Sequence, residues 1–309
     1  MPYTKKLYHY AAHIRKQNEV APIIFSAKQD ILTSDMRKAI CFITVIICLS
    51  MLALPVATAS AEERKMLPVL MYHSISESKK GVYFISPRAL ESDLVALSAL
   101  GYVFVTASAV KAYLNGTGEL PEKPLLITFD DGHYDNLFYG LEILKKYDAH
   151  AVINVIGCFS EYSSTHEKDH PEYSHLTWDE IAYLAKSGVF EIGSHTYGMH
   201  AYKPRFGIKR KMGESEEDHR RALSEDLEKL DRILLDKCGV RPVAFAYPFG
   251  AYDEESEKVV KSRYDMIFTC YERVNSLKKG DSAKLSRIYR INRDGTLDTQ
   301  TFLARHGIR

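Results

Sequence analysis

The side chains best suited to catalysis lie directly after apolar segments of the sequence. His73 follows LPVLMY, Asp130 and Asp131 follow PLLITF, and His195 and His200 come after VFEIGS. Chemistry in parallel α/β folds gathers at the carboxyl ends of strands, so these side chains are expected to meet. Five ionisable or metal-binding residues at three strand ends are difficult to explain by packing alone.

The spacing of the two later histidines favours a loop. Five residues separate them by about 140° on an α-helix, which would put the rings on different faces. Gly198, between them, lets the chain fold back. Two histidines and one aspartate suit a borderline divalent cation and leave room for water. The alternatives are that each histidine only hydrogen-bonds within its loop, and that Asp130 and Asp131 are turn residues beside Gly132.

A further strand end carries an aromatic-proline-glycine turn. Tyr247 and Pro248 open it, and Phe249-Gly250 complete it after the apolar run VAFA. The turn is either a rigid connection or a pocket wall that offers a backbone N–H to an oxyanion.

The elements that must position these residues alternate along the chain. Apolar, unalternating strands are predicted at 67–72, 102–105, 124–129, 151–156, 189–192, 243–246, 266–269 and 288–291. Helical patterns lie between them, opened by Ser86-Pro87 and by a capping box at 177–180. Such a pattern indicates a parallel sheet covered by helices. We predict an α/β fold with a single, distorted or incomplete (β/α) barrel, ahead of a doubly wound sheet. Residues 157–176 and 201–218 are predicted to be loops.

The first part of the chain is typical of an export signal. Residues 39–58 hold no charged side chain, Arg37 and Lys38 precede them, and small residues follow up to Ala61. We predict a signal peptide over 36–61, with residues 1–35 as an upstream extension or a long n-region, and one catalytic domain over 62–309. The protein is then secreted or lies on the outer face of the cell envelope; an uncleaved signal anchor that tethers it to the membrane is the alternative.

Charge disfavours nucleic acid as a partner. The whole chain has 41 basic and 40 acidic side chains, and its basic excess lies entirely in the leader. A nucleic-acid-binding domain would need a basic field on its folded part.

In this order and at strand ends, the motifs TFDDG, GSHTYGMH and FAYPFG resemble those of polysaccharide deacetylases of the NodB-homology type, carbohydrate esterase family 4. The leading VLMYHSI and the five-residue histidine spacing resemble the branch that de-N-acetylates poly-β-1,6-N-acetylglucosamine. The resemblance covers about residues 67–295.

The resemblance implies a role for each motif residue. Asp131, His195 and His200 match a triad that holds one divalent ion, zinc first, with cobalt, nickel or iron as alternatives. Asp130 matches the general base and His73 the general acid to the leaving amine. In the Tyr247-Pro248 turn, the Tyr247 backbone N–H matches the oxyanion donor. Tyr197 belongs to a set of aromatic residues near the motifs that are candidates for stacking on sugar; the others are Tyr134, Tyr162 and Trp178.

The sequence departs from the family pattern in three places. The family often has a four-residue step between the motif histidines. The arginine of the usual RxPYG motif is absent, so the sequence does not show which residue orients Asp130. The C-terminal Leu-x-His is missing, and for this reason the acid role falls to His73.

The expected function is a secreted, metal-dependent N-deacetylase of N-acetylglucosamine units in a polysaccharide, in particular the poly-β-1,6-linked polymer of biofilm matrices. The alternatives are a peptidoglycan or chitin-type deacetylase and, from another class, a non-catalytic carbohydrate-binding barrel. The intact set Asp130, Asp131, His195 and His200 argues against the last alternative. No stable protein partner is predicted.

Overall fold

The computed structural model describes residues 34, 36, 38–44, 63–166 and 170–309. The chain divides into two units, Met1–Ser60 and Ala61–Arg309. In the first unit the described residues are helical. The predicted extension (1–35) and most of the predicted signal peptide (36–61) lie outside the described residues and stay predictions. Where the chain is described, no helix has both the length and the apolar character that a bilayer span requires.

The second unit contains short strands separated by helices. Its strands are β1 (Arg64–Leu67), β2 (Val69–Tyr72), β3 (Ser74–Ile75), β4 (Phe84–Ile85), β5 (Val103–Phe104), β6 (Pro124–Phe129), β7 (Ala151–Val155), β8 (Phe190–Ser194), β9 (Phe245–Ala246), β10 (Ile267–Phe268), β11 (Asn275–Lys278) and β12 (Ile291–Asn292). Its helices are α1 (Pro87–Ala99), α2 (Ala107–Leu114), α3 (Leu141–Lys146), α4 (Gly157–Thr165), α5 (Trp178–Lys186), α6 (Glu216–Ile233), α7 (Glu254–Arg263) and α8 (Thr299–Arg305). One π-helical turn, Asn136–Gly140, precedes α3, and another, Leu234–Cys238, extends α6.

Capping side chains begin the helices where the sequence predicted. The Ser86 hydroxyl accepts the Ala89 N–H at the start of α1. At α5, Thr177 and Glu180 form the predicted capping box, in which each side chain bonds the other residue's backbone N–H. The prediction of a loop over 157–176 is wrong in its first half, because α4 occupies it. That helix buries the small residues Gly157, Ser160 and Ser163, so it has no apolar periodicity to reveal it.

The main sheet is parallel and curls into an incomplete barrel. Its strand order is β10–β9–β8–β7–β6–β2–β12, with β5 beside the start of β6, and the pairs along this order are parallel. All six residues of β6 are buried, as expected for a sheet covered on both faces. The prediction of a distorted or incomplete (β/α) barrel is confirmed.

A segment near the C-terminus brings the two edges of the sheet together. The Ile288 N–H donates to the Ile267 carbonyl oxygen on β10 at 2.8 Å. A few residues later, β12 pairs in parallel with β2. Residues 288–292 therefore lie between the first and last strands, and Arg290 lies at the centre of this closure.

Strand alternation decides which β6 side chains enter the barrel. Leu125, Ile127 and Phe129 pack in the main core cluster with α1 and α5. Leu126 belongs to a second cluster, together with Val152 of β7. Because successive side chains point to opposite faces, Thr128 and Asp130 share the face of Leu126, and Asn154 shares the face of Val152.

Candidate active site

The turn after β6 directs two consecutive carboxylates into one pocket. Asp130 follows the strand alternation, whereas Asp131 has a left-handed backbone with φ of 73°. Gly132 is also left-handed, at φ of 71°, and a Cβ atom there would lie 3.2 Å from a Val155 methyl carbon. The positive φ of Asp131 breaks the alternation, so both carboxylates line the same cleft.

Left-handed backbone recurs at the other strand ends of the site. Thr196, directly after His195, has φ of 72°, and Phe249 has φ of 57°. Each such residue costs about 1–3 kcal/mol and persists only where the surrounding structure fixes it. Backbone strain therefore occurs at the strand ends whose polar side chains line the cleft.

Asp131, His195 and His200 lie close enough together to serve as a ligand set for one metal ion. Asp131 Oδ1 lies 3.5 Å from His195 Nε2 and 3.4 Å from His200 Nε2, and one ligand atom from each residue falls within 4.8 Å of the others. Two ligands that bind one ion at 2.0–2.1 Å with a tetrahedral angle lie about 3.4 Å apart. These separations are long for hydrogen bonds but fit ligands that share an ion.

The ring of His195 is fixed in the orientation that a ligand needs. Its Nδ1 lies 2.8 Å from the Ala246 carbonyl oxygen, so this nitrogen carries the proton and donates. Nε2 is then left as the free acceptor. Metal-binding histidines are commonly oriented in this way, and the residues present therefore fit a divalent cation such as zinc.

The protonation states also suit a metal. Burial lowers the pKa of His200 to about 4, with His195 acting in the same direction. Burial opposes ionisation of Asp131, but the neighbouring rings of His133 and His195 hold the pKa of Asp131 far below its usual value. At neutral pH the site thus offers a neutral imidazole at His200 and an anionic carboxylate, the forms that bind metal.

Asp130 is held by two residues that the sequence did not reveal. Arg290, itself fully buried, donates from both terminal nitrogens, to Oδ1 at 2.7 Å and to Oδ2 at 2.8 Å. Asn154 Nδ2 donates to Oδ1 at 2.7 Å. Burial favours the neutral acid, but the Arg290 guanidinium outweighs it and lowers the pKa of Asp130 to about 2. From the described residues, Oδ1 accepts two hydrogen bonds and Oδ2 accepts one, so Oδ2 keeps a lone pair for another donor.

A glycine on the neighbouring strand makes room for this arrangement. Gly193 of β8 pairs with Asn154 of β7. A Cβ atom on Gly193 would lie 2.0 Å from the Asn154 side-chain oxygen, closer than any real contact. The glycine of the EIGSH segment therefore lets Asn154 reach Asp130.

Replacing Arg290 by methionine is expected to destabilise the fold by about 3–5 kcal/mol, because it leaves a buried carboxylate without its cation. Replacing Arg290 by lysine should destabilise the fold less, because lysine keeps the charge, although it cannot form the bidentate contact. In the wild type, Asp130 stabilises the fold above its unfolded pKa of 3.8, and this contribution is lost as pH falls towards 2. Urea unfolding of the three proteins at pH 7 and pH 3 measures the effect; a loss below 1 kcal/mol at pH 7 would contradict it.

All five sequence-predicted catalytic candidates line one cleft of about 740 Å³. His73 enters from the end of β2, and its ring packs on Tyr83 with centroids 4.6 Å apart. Asn136, in the π-helical turn, donates to the His73 carbonyl oxygen at 2.9 Å. Burial lowers the pKa of His73, while Asp130 and Asp131 oppose that effect.

His133 extends the carboxylate cluster. Its Nε2 lies 3.6 Å from Asp131 Oδ2, and its ring stacks on His175 at 4.9 Å. Burial disfavours a charged His133, but Asp131 and Asp135 outweigh it and raise its pKa. His133 therefore lies beside Asp131 but does not belong to the three-residue ligand set.

Of the three sequence-predicted binding residues, Tyr247 lines the cleft, whereas Tyr197 and Pro248 are outside its described lining. Tyr197 does not line the cleft among the described residues; its ring lies under the Lys229 ammonium, 3.6 Å from it. Pro248 is buried and is likewise outside the lining. Tyr247 is only 1% exposed, and its backbone N–H points at the Phe268 carbonyl oxygen at 3.4 Å. That contact along the sheet competes with the expected oxyanion role of Tyr247.

The residues that sequence reasoning missed share one feature. Arg290 and Asn154 are polar residues inside predicted apolar strands, within IYRIN and AVINV. A buried polar side chain requires a partner, so both were signals of an internal network. Their common partner Asp130 is 160 and 24 residues away, which no local pattern reveals.

Comparison with known proteins points to one family. A family model described as polysaccharide deacetylase matches residues 117–264, a range that contains both aspartates and both later histidines but neither His73 nor Arg290. The poly-β-1,6-N-acetyl-D-glucosamine N-deacetylase of Staphylococcus epidermidis is 28% identical over 207 residues, 64% of this chain and 65% of that protein. The Escherichia coli K12 enzyme of the same name is 25% identical over 228 residues, 65% of this chain and 33% of that protein.

The chain thus spans one third of the E. coli relative and just under two thirds of the staphylococcal one. Among solved structures, IcaB from Ammonifex degensii is similar with a TM-score of 0.63 at 24% identity, covering 79% of this chain and 97% of that one. This likeness shows a shared fold. The family match, the named relatives and the ordered motifs at the strand ends agree: over residues 117–264 the chain is similar to polysaccharide deacetylases.

Proposed function

We propose that this protein is a metal-dependent N-deacetylase that removes acetyl groups from N-acetylglucosamine units of an exported polysaccharide, in particular a β-1,6-linked polymer. The observation that carries the proposal is the placement of a three-residue metal ligand set and a separate, ionised carboxylate in one cleft. Two relatives named for that polymer support the substrate class.

Asp131, His195 and His200 would hold the ion. When bound, a divalent ion polarises the acetyl carbonyl as a Lewis acid and makes water a nucleophile near neutral pH. Asp130 is ionised at neutral pH, and its Oδ2 has a lone pair free for the proton of the attacking water. Arg290 and Asn154 keep this carboxylate from rotating, so the base is pre-organised.

The reaction also needs an acid, because an amine is a poor leaving group until its nitrogen is protonated. Water adds to the acetyl carbon, the carbon–nitrogen bond breaks, and the nitrogen leaves with an added proton, which yields acetate and a free amino sugar. We assign the donor role to His73, which lines the same cleft as Asp130. Its loop is held by the bond from Asn136.

The assignment of His73 predicts a difference between amide and ester substrates. Changing His73 to alanine should lower kcat for sugar acetamides by about 10²–10⁴-fold, the usual contribution of general acid–base catalysis. Hydrolysis of 4-nitrophenyl acetate should fall far less, because nitrophenolate leaves without a proton. Acetate release and nitrophenolate absorbance measure the two rates. Equal losses on both substrates would show that His73 only shapes the site.

Amine and acetate release from defined substrates tests the function itself. We expect turnover of β-1,6-linked N-acetylglucosamine oligomers, loss of activity on chelation, and recovery on addition of zinc. Preferred turnover of β-1,4-linked chitin oligomers or of peptidoglycan fragments would reassign the substrate. Folded, zinc-loaded protein that deacetylates none of the three would support a non-catalytic carbohydrate-binding role instead.

We also propose that the enzyme works outside the cytoplasmic membrane. The support is the predicted signal over residues 36–61, with its basic flank, its apolar run and its small-residue exit. Fractionation of cells that express the full chain, with N-terminal sequencing of the exported form, tests export and cleavage together.

A further inference from the structure

Helix α6 places a carboxylate against the backbone of the segment that carries both histidine ligands. We call this segment, residues 195–200, the ligand loop. Asp226 Oδ1 accepts the backbone N–H of Tyr197 at 2.8 Å, and Asp226 Oδ2 accepts the backbone N–H of Gly198 at 2.8 Å. Both N–H groups lie inside the five-residue step between the two histidines. One carboxylate thus fixes two consecutive peptide groups in the middle of the ligand loop.

The carbonyl oxygens of the same two peptide groups are bonded to the start of α4. The Gly157 N–H donates to the Thr196 carbonyl oxygen at 3.1 Å, and the Cys158 N–H donates to the Tyr197 carbonyl oxygen at 2.7 Å. In a trans peptide group the C=O and the N–H point in opposite directions. The ligand loop is therefore held between α4 on one side and Asp226 on the other.

Helix α6 also holds the side chain of Tyr197. Lys229 is three residues after Asp226, so the two lie next to each other on one face of the helix. The Lys229 ammonium is 3.6 Å from the centroid of the Tyr197 ring, where the negative face of the ring attracts a cation. Tyr197 is thus bound to α6 by its ring as well as by its backbone.

The ligand loop needs this support because its backbone is strained beside the first ligand. Thr196 has a left-handed φ of 72°, which persists in a residue other than glycine only where the surrounding structure holds it. An ionised carboxylate is suited to the task, because both of its oxygens accept hydrogen bonds. Bonds to a charged acceptor are also stronger than bonds between neutral groups.

We infer that Asp226 is a positioning residue for the metal site and acts through the ligand loop. Among the described residues, Asp226 is outside the ligand set and outside the lining of the cleft. It holds the loop so that the Nε2 atoms of both histidines face Asp131 before an ion binds. Less free energy is then lost in ordering the ligands, and the affinity for the ion is higher. The inference rests on the proposed metal-dependent function.

The zinc affinity of Asp226 variants tests the inference. Asp226→Ala should weaken zinc binding by about 10–100-fold, the usual effect of losing a residue that orients a ligand. Asp226→Asn should weaken it by about tenfold, because its oxygen still accepts one N–H while its NH₂ group faces the other. Competition of the metal-free full chain with a chromophoric zinc chelator at neutral pH measures the affinity. The urea midpoint of the metal-free protein measures stability separately.

Glu191→Ala is the matched control. Glu191 on β8 also accepts two consecutive backbone N–H groups, those of Ala107 at 2.6 Å and Ser108 at 3.1 Å, and these lie at the start of α2 rather than in the ligand loop. Its removal should lower the urea midpoint and leave zinc affinity unchanged. A loss of affinity that reflects only a weaker fold would therefore appear in both alanine variants.

Zinc affinity decides the inference, and acetate release by the wild type from a β-1,6-linked N-acetylglucosamine pentamer decides the proposed function. Wild-type affinity in both Asp226 variants, or equal losses in Asp226→Ala and Glu191→Ala, would overturn the positioning role and leave the function of an active wild type standing. If Asp226→Ala does not fold, the affinity of Asp226→Asn decides. A wild type that neither binds zinc nor releases acetate would overturn the proposed function and the inference together.

Discussion

Changing His195 to alanine is expected to abolish both metal binding and deacetylase activity. His195 is 2% exposed, its Nε2 faces Asp131, and its Nδ1 is held by the Ala246 carbonyl oxygen. Removal leaves two ligands, too few for a tight zinc site. Loss of a residue that merely orients a ligand costs about 10–100-fold in affinity or activity, so loss of the ligand itself should cost more.

The measurement pairs metal content after dialysis with acetate release from the β-1,6-linked pentamer. His150 provides the control, because its ring bonds the Gly188 carbonyl oxygen and it is outside the ligand set found among the described residues. His150→Ala should keep one ion per chain and full activity. A His195→Ala protein that retains stoichiometric zinc, or more than about a tenth of the wild-type rate, would contradict the assignment of this ligand.

Changing Asp130 to asparagine should separate catalysis from metal binding. The variant should keep the ion, since Asp130 is outside the ligand set, and should lose about 10²–10⁴-fold in kcat, because an amide cannot accept the proton of water. A stability loss of about 1–3 kcal/mol is also expected. The new NH₂ group must face a donor, since both carboxylate oxygens accept hydrogen bonds from Arg290.

The neighbouring carboxylate supplies the comparison. Asp131→Asn removes a ligand and should lose metal and activity together, whereas Asp130→Asn should lose activity alone. Circular dichroism checks that both variants are folded. Equal metal loss in the two variants, or a wild-type rate in Asp130→Asn, would show that the two aspartates do not have separate roles.

Local patterns predicted much of the scaffold because they reflect interactions close in sequence. The strand at Pro124–Phe129 has the predicted bounds. The capping box at Thr177 is local chemistry and was found where expected. Helix α4 was missed because it buries glycine and serine rather than large apolar residues.

The aromatic residues show that closeness in sequence to the motif histidines does not predict which side chains line the cleft. Tyr197 lies between the two motif histidines, yet its ring packs under Lys229 on α6. Tyr202, two residues beyond His200, lines the cleft instead. The backbone turn with φ of 72° at Thr196 redirects the chain, and side-chain direction after such a turn does not follow from spacing.

By itself, the sequence determined which residues stand at strand ends and which of them suit a metal. Those features depend on the length of an apolar run and on the residue that stops it. Only the tertiary structure decided what holds Asp130. Its partners are the guanidinium of Arg290, 160 positions away, and the side-chain amide of Asn154. The amide has room because Gly193 on the next strand has no side chain. The physical reason is that a buried charge needs an oppositely charged partner close in space. Which residue supplies that partner depends on how the barrel closes rather than on the residues next to Asp130 in the sequence.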